Sequence, residues 1–271
     1  MDGIEASIIG LPEIKQYWEN ASTCPFDEAS LRPTARDPHL QEVVEAAVEK
    51  WIWPGAQVLD IGCGDGTSSL RFANRAEIVH GVDFIPRYVE MARESARRLN
   101  VKNVEFSRAD VMSLEEVRAR IPQPDIVVTI RCLINLANWE NQERAVRQIA
   151  ATVKRGGLYV LSEGWSDGWD GLNKLRARCG LGPIELVKYN CLLNRNRFEE
   201  TIQRDFEILH YENLGFYIFM SRVFQPAYVA PERPRHTHNI NRIAAQIGSL
   251  GVCSGEFRDC DYAGVYVLRR K

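Results

Sequence analysis

The stretch Asp60-Ile61-Gly62-Cys63-Gly64-Asp65-Gly66 puts a glycine at every second position directly after an apolar run. Glycine adopts left-handed backbone at little cost and lets a ligand approach the main chain closely. A strand that turns sharply into a helix around a ligand needs that freedom. The spacing departs from G-x-G-x-x-G, the pattern that seats a pyrophosphate on a helix N-terminus. The residue three after Gly64 is Thr67. Asp60 and Asp65 would also repel a phosphate, whereas acids suit a ligand with a cationic amino-acid end. Asp83 closes the next apolar run, "IVHGVD", where a carboxylate can accept two hydrogen bonds from a ribose diol.

These residues need a frame that gathers strand ends, and the surrounding sequence provides one. Residues 57–61, 77–82, 104–107, 125–130 and 157–162 read as strands. Helical spacing fills 38–51, 67–74, 86–99, 114–119 and 139–153. Thr67 and Ser68 are candidates to cap the helix after the glycine turn. Such alternation predicts a parallel sheet with helices on both faces. The uncharged strand cores VLDI, IVVTI and LYVL suit strands buried on both sides. After Glu163 the rhythm breaks into a long Trp-, Gly- and Asn-rich insert. A strand at 206–211, an aromatic stretch, a Pro- and His-bearing loop, a short helix at 240–247 and the run YAGVYVLRRK follow. Residues 1–38 read as irregular, with turn formers concentrated in CPFDEASLRPTARDP.

Over about residues 40–163 the chain resembles the class I S-adenosylmethionine-dependent methyltransferases of small-molecule type. Their first motif, [DE]-x-G-x-G-x-G, is matched by Asp60 through Gly66. Their ribose acid is matched by Asp83, and the acid at the adenine edge by Asp110 in SRAD, with Val111 beside it. The fourth-strand run PDIVVTIRCLINL and the turn VKRGGLYVL match as well. The resemblance implies a Rossmann-like, doubly wound α/β fold. Its seven-stranded sheet would be mostly parallel, with an antiparallel C-terminal strand and a cap insert after strand five. It implies S-adenosyl-L-methionine as cofactor and S-adenosyl-L-homocysteine as product. Asp60, Gly62, Cys63 and Gly64 would face the methionine end. Asp83 and Phe84 would meet the ribose side, and Asp110 and Val111 the adenine. Arg131 would begin the floor shared by donor and acceptor, and Tyr17 and Trp18 would cover the donor. Residues 1–38 would then form an arm or lid, and 39–271 the methyltransferase domain, with 164–204 and 214–256 as substrate-cap insertions.

Methyl transfer from a sulfonium is an in-line displacement on an activated donor, so alignment is the main requirement. A hydroxyl acceptor also gains from a base. Glu163 ends the fifth strand, and His236 and His238 lie in PRHTHNINR; these are the candidate catalytic residues. Asn135, Trp165, Lys188, Tyr189, Asn190, Tyr217 and Arg222 are candidate acceptor contacts. Arg131, Lys188 and Arg222 could together hold an anionic acceptor. The segment after strand four, Arg131-Cys132-Leu133-Ile134-Asn135-Leu136, lacks the Asn/Asp-Pro-Pro-Tyr/Phe of amide- and adenine-methylating members. O-methylation is therefore the leading expectation, and N-methylation the second. Strand ends four and five offer too few carboxylates for a hard cation, so no metal is expected.

Composition narrows the classes further. The 271 residues are 45% hydrophobic and 26% charged, with a net charge of −2, which gives no general attraction to nucleic acid or anionic lipid. No apolar stretch approaches the roughly 18 residues that span a bilayer, and the N-terminus lacks the pattern of an export signal. The seven cysteines are scattered and include no CxxC pair, which argues against zinc and for a reducing, cytoplasmic setting. A small-molecule acceptor and no membrane partner are expected. Three alternatives stay open: a nucleic-acid methyltransferase, a catalytically inactive methyltransferase-like partner subunit, and a nicotinamide-dependent oxidoreductase.

Overall fold

The computed structural model describes residues 9–23, 34–251, 255 and 257–271. Parts of the expected arm 1–38 and of the expected cap 214–256, with Cys24 and Cys253, lie outside the described residues.

Seven strands form one sheet in the order β3-β2-β1-β4-β5-β7-β6. They are β1 (Gln57–Ile61), β2 (Ile78–Asp83), β3 (Val104–Arg108), β4 (Ile126–Ile130), β5 (Leu158–Ser162), β6 (Phe206–Glu212) and β7 (Val265–Arg270). The first five are mutually parallel, while β7 runs antiparallel to both β5 and β6. The alternation expected from sequence is thus a Rossmann-like sheet with an antiparallel C-terminal strand. The order reverses between β1 and β4. At such a switch point the connections leave to opposite faces and open a crevice at the carboxyl ends of the strands.

Both faces of the sheet are packed, which explains the uncharged strand cores. Val58, Val128, Val160 and Val267 point to one face, under helices α2 (Pro38–Glu49), α9 (Gly215–Phe219) and α11 (Asn239–Ser249). Their neighbours Leu59, Val127, Tyr159 and Leu268 point to the other, under α6 (Trp139–Thr152) and α8 (Arg195–Ile202). Side chains alternate across a strand, so each strand serves both cores. Each such fully buried aliphatic side chain contributes about 1.5–3 kcal/mol relative to exposure. Helix α4 (Pro86–Arg98) packs Val89, Ala92 and Ala96 against Phe106 of β3 and Leu70 of α3 (Thr67–Phe72).

One stretch differs from expectation, and for another the sequence assigns no structure. Residues Leu11–Ser22 form a helix, α1, where irregular chain was expected. Pro12 sits in its first turn, where a missing N–H costs nothing. Only Ile14 among its apolar residues is fully buried, so its periodicity is weak. The aromatic stretch after Leu214 is helical too: α9, one π-helical turn at Met220–Phe224, and α10 (Gln225–Val229). The insert after β5 holds α7 (Ser166–Arg178) and α8. Among the described residues no helix is long and apolar enough to cross a membrane.

Candidate functional site

A cavity of about 380 Å³ opens over the carboxyl ends of β1, β2 and β4. That is within the usual range for small-molecule sites. Its first wall is the turn between β1 and α3. Gly62, Gly64 and Gly66 have φ of +75°, +54° and +80°, the region that branched residues avoid. A Cβ on Gly62 would lie 2.9 Å from the Cys132 sulfur, and one on Gly66 would lie 2.6 Å from Ala92 Cβ. The helix is not capped by Thr67 or Ser68. Gly66 is the capping residue, and Asp65 Oδ1 accepts from the Thr67 backbone N–H at 3.2 Å and its hydroxyl at 2.8 Å.

The acids at the strand ends are anchored by the chain itself. Asp83 Oδ2 accepts from Gly64 N–H at 2.9 Å and Oδ1 from Ile85 N–H at 2.8 Å, leaving a lone pair on each oxygen for a ligand. Burial pushes its pKa up, against those two bonds. Asp60 accepts from the Ser69 hydroxyl at 2.5 Å, and burial raises its carboxyl to about 7. Asp110 takes Met112 N–H on one oxygen and the Lys15 ammonium, at 3.1 Å, on the other. That ammonium lies 3.7 Å over the centre of the Phe84 ring. Burial pushes the Cys63 and Cys132 thiols well up, so both stay protonated.

The second wall is the segment after β4. Arg131 has a left-handed backbone, φ +54°, with its N–H on Ser162 O and its carbonyl accepting from the Asn135 side chain at 2.7 Å. Helix α1 closes over this wall. Trp18 Nε1 donates to Asn135 Oδ1 at 3.1 Å, and the Trp18 and Tyr189 rings meet edge to face at 5.6 Å. Tyr17 stacks on Tyr189 at 4.0 Å from outside the lining and accepts a bond from Arg36.

The third wall comes from regions far apart in sequence. Asp37 Oδ1 accepts from Leu40 N–H and the Tyr217 hydroxyl, and Oδ2 accepts from Arg222 Nη2 at 2.6 Å. His236 Nδ1 lies 3.6 Å from the same Oδ2. Burial alone would raise the Asp37 pKa. The His236, Arg222, Leu40 and Tyr217 contacts outweigh it and hold the carboxyl well below the usual range.

The structure therefore brings Asp60, Gly62, Cys63, Gly64, Asp83, Phe84, Asp110, Val111, Arg131, Trp18, Asn135, Tyr189, Asn190, Arg222 and His236 to one cavity. Other expected site residues stand elsewhere. Glu163 lies behind the second wall: its oxygens accept from Cys132 N–H at 3.1 Å and Ile134 N–H at 3.2 Å, and burial raises its carboxyl to about 7. Trp165 is fully buried, its indole N–H on Gly264 O. Tyr217 is buried beside Asp37. His238 accepts from Ile240 N–H at the start of α11. Lys188 and Tyr17 are outside the lining. Arg222 is committed to Asp37, so the expected trio with Arg131 and Lys188 does not form. Conversely, Lys15, Thr34, Asp37 and Gln41 line the cavity without having been anticipated. For Asp37 the signal was legible: an acid before Pro38 is a helix N-cap, and the start of α2 faces the strand ends.

Residues 58–157 match the model of a methyltransferase domain family. That segment of the chain is a methyltransferase domain. Two curated methyltransferases are similar to this part of the chain. The ribosomal protein L11 methyltransferase of Clostridium botulinum is 24% identical over 151 residues, covering 54% of this chain and 45% of that protein. The ubiquinone biosynthesis O-methyltransferase of Xanthomonas campestris is 32% identical over 109 residues, covering 40% and 43%. The chain thus spans about half the length of the curated relatives it matches. In architecture it is similar to magnesium protoporphyrin IX methyltransferase from Synechocystis, with TM-score 0.57, 18% identity, and 94% of each chain covered. At that identity the likeness concerns the fold. The matched residues 58–157 include the glycine turn, Asp83 and Asp110, while the third wall and the α1 cover lie beyond them.

Proposed function

We propose that the chain binds S-adenosylmethionine in this cavity and catalyses transfer of its methyl group to an oxygen of a small-molecule acceptor. The observation that carries the reading is the convergence of the glycine turn, Asp83 and Asp110 on one cavity whose other half is roofed by Trp18 and Tyr189. The donor set fits the group. Asp60 and Asp83 offer carboxylate oxygens to an ammonium and a ribose diol, and Asp110 and Val111 flank an adenine. Gly64 keeps the turn open on the cavity side, where a Cβ would have only the Thr34 methyl, at 3.2 Å, beside it. The sulfonium, when bound, supplies an activated methyl group.

What this chain contributes is position and a place for the proton. Helix α1 acts as a lid, and Tyr189, Asn190, Arg222 and His236 of the two expected insertions shape the acceptor side. Asn135 and Asn190 offer polar contacts to an acceptor. His236 lines the cavity next to the Asp37 carboxylate and is the imidazole available to a hydroxyl that must lose a proton. Glu163 is a positioning residue, holding the second wall by two backbone N–H groups. Oxygen is favoured over nitrogen by the absence of the Asn/Asp-Pro-Pro-Tyr/Phe segment and by the likeness to an O-methyltransferase over the donor half.

The test is transfer of labelled methyl from S-adenosylmethionine to a panel of phenols, carboxylic acids and amines. Label in an ether or ester supports the reading. Label only in amines moves the acceptor to nitrogen, and binding of S-adenosylhomocysteine with no turnover across the panel contradicts small-molecule O-methylation.

A further inference from the structure

His236 reaches the cavity from a loop that is exposed from Pro231 to Arg235, yet its backbone is held from the protein side. Two buried amide side chains converge on it from different helices. Gln225, the first residue of α10, donates through Nε2 to Arg235 O at 2.6 Å. Asn241 of α11 donates through Nδ2 to His236 O at 3.1 Å and to Arg235 O at 3.4 Å. The His238 N–H reaches the same Arg235 carbonyl at 3.1 Å, so that one oxygen takes three donors. Water can satisfy the carbonyls of an exposed loop, so hydrogen-bond satisfaction alone does not call for two buried amides there. Asn241, moreover, pairs only one end of its amide. Its Oδ1 is buried and has no hydrogen-bond partner among the described residues. Turning the amide over would set that oxygen against two carbonyls. A buried acceptor left unpaired lowers stability, and such an exception in a folded chain asks for a reason.

The reason lies in what the held loop presents. His236 Nδ1 stands 3.6 Å from Asp37 Oδ2, and His236 lines the cavity. Asp37 is itself held by Arg222 Nη2 at 2.6 Å, from the π-helical turn that ends directly before Gln225. π-helical turns are rare and gather at functional sites. One short segment thus carries both the clamp on Asp37 and a clamp on the His236 loop, and together they set the imidazole against the carboxylate. With Nδ1 turned to Asp37, Nε2 is the nitrogen left for a ligand. We propose that Asn241 and Gln225 are positioning residues for His236, fixing its backbone so that Nε2 can take the acceptor's proton. In that step the acceptor O–H bond breaks and its proton passes to Nε2, while the O–CH3 bond forms and the S–CH3 bond breaks. This rests on the proposed function and adds the residues on which its base depends. Neither amide is part of the cavity lining, so each acts only through the loop it holds.

The experiment compares Asn241→Leu, Gln225→Met, His236→Gln and the two double variants that carry His236→Gln. Turnover is read with labelled S-adenosylmethionine and the phenol that takes most label in the acceptor panel. Asn241→Leu and Gln225→Met are each expected to lower kcat roughly 10- to 100-fold, part of what a positioned base contributes. Affinity for S-adenosylhomocysteine, by calorimetry, is expected to stay unchanged in both. Added to His236→Gln, neither is expected to lower kcat further, because residues that act through one group are not additive. In a crystal structure of Asn241→Leu the imidazole is expected to have left ion-pair distance of Asp37. Full turnover in His236→Gln or in both single amide variants overturns the proposal, as do losses that multiply in the double variants. An Asn241→Leu structure with His236 still beside Asp37 overturns it too, and so does label in carboxylic acids alone, which arrive ionised and need no base. Should Asn241→Leu fail to fold, Gln225→Met decides by the same cycle and the same structural comparison. Absence of label in every acceptor would instead remove the proposed function, and the crystal structures would still decide whether the two amides place His236.

Discussion

Asp83 has one task for the fold and, in the proposed site, one for a ligand. Asp83 ties the glycine turn to the start of α4 through two backbone N–H groups, and it lines the cavity. Asp83→Ala is expected to weaken S-adenosylhomocysteine binding by about 1–3 kcal/mol, the cost of losing charge-assisted bonds to the ribose. Titration calorimetry checks this, and unchanged affinity would put the ribose elsewhere. Glu163 is the contrasting case. It was a reasonable base from sequence, being the acid that ends β5. Only coordinates reveal that Cys132 and Ile134 already occupy its oxygens. Glu163→Gln sets an amide N–H₂ against one of those N–H donors, and a loss of about 1–3 kcal/mol in urea unfolding is expected. Unaltered stability with collapsed turnover would return Glu163 to catalysis.

At the scale of elements, the glycine turn separates ligand space from folding space. A Cβ on Gly66 would meet Ala92 and Phe106 side chains at 2.6 and 2.9 Å in the packed seam of α3, α4 and β3. One on Gly64 would meet only the Thr34 methyl at 3.2 Å. Gly66→Ala is thus expected to unfold at distinctly lower denaturant, losing about 2 kcal/mol or more from left-handed strain and overpacking together. Gly64→Val is expected to keep more of its stability and lose donor binding. Circular dichroism melts with parallel calorimetry distinguish the two, and the reverse ranking would contradict this division. The turn was legible because its three glycines follow an apolar strand. The central helices were legible because apolar residues recur at helical spacing. Helix α1 was not, since it buries little beyond Ile14 and is held by polar and ring contacts of Lys15, Tyr17 and Trp18. The helical run after Leu214 was hidden by aromatic residues that suit strands equally well.

For the whole molecule, burial of acids at the strand ends sets a pH dependence. Asp60 and Glu163, both raised to about 7, keep protons in the folded chain that the unfolded chain releases near 3.8 and 4.5. Their contribution is therefore complete below those unfolded values and is lost as pH rises through about 7. Asp37, held low, acts oppositely and contributes above 3.8. Urea midpoints are expected to fall between about pH 4 and pH 7, with a shallower fall in Glu163→Gln. A rise over that interval would contradict the burial of these carboxyls. At this scale the sheet and its crevice followed from the strand–helix rhythm. The third wall did not, because Asp37, Arg222 and His236 meet only through the packing of α2 against the helices after Leu214.

The central claim is that the crevice at the β1–β4 switch point seats a sulfonium nucleoside, not a dinucleotide. Calorimetric titration of the wild-type chain with S-adenosylhomocysteine, alongside NADH, tests it most directly. The expected result is one saturable site for S-adenosylhomocysteine and no heat from NADH; binding of NADH with none of S-adenosylhomocysteine would contradict it.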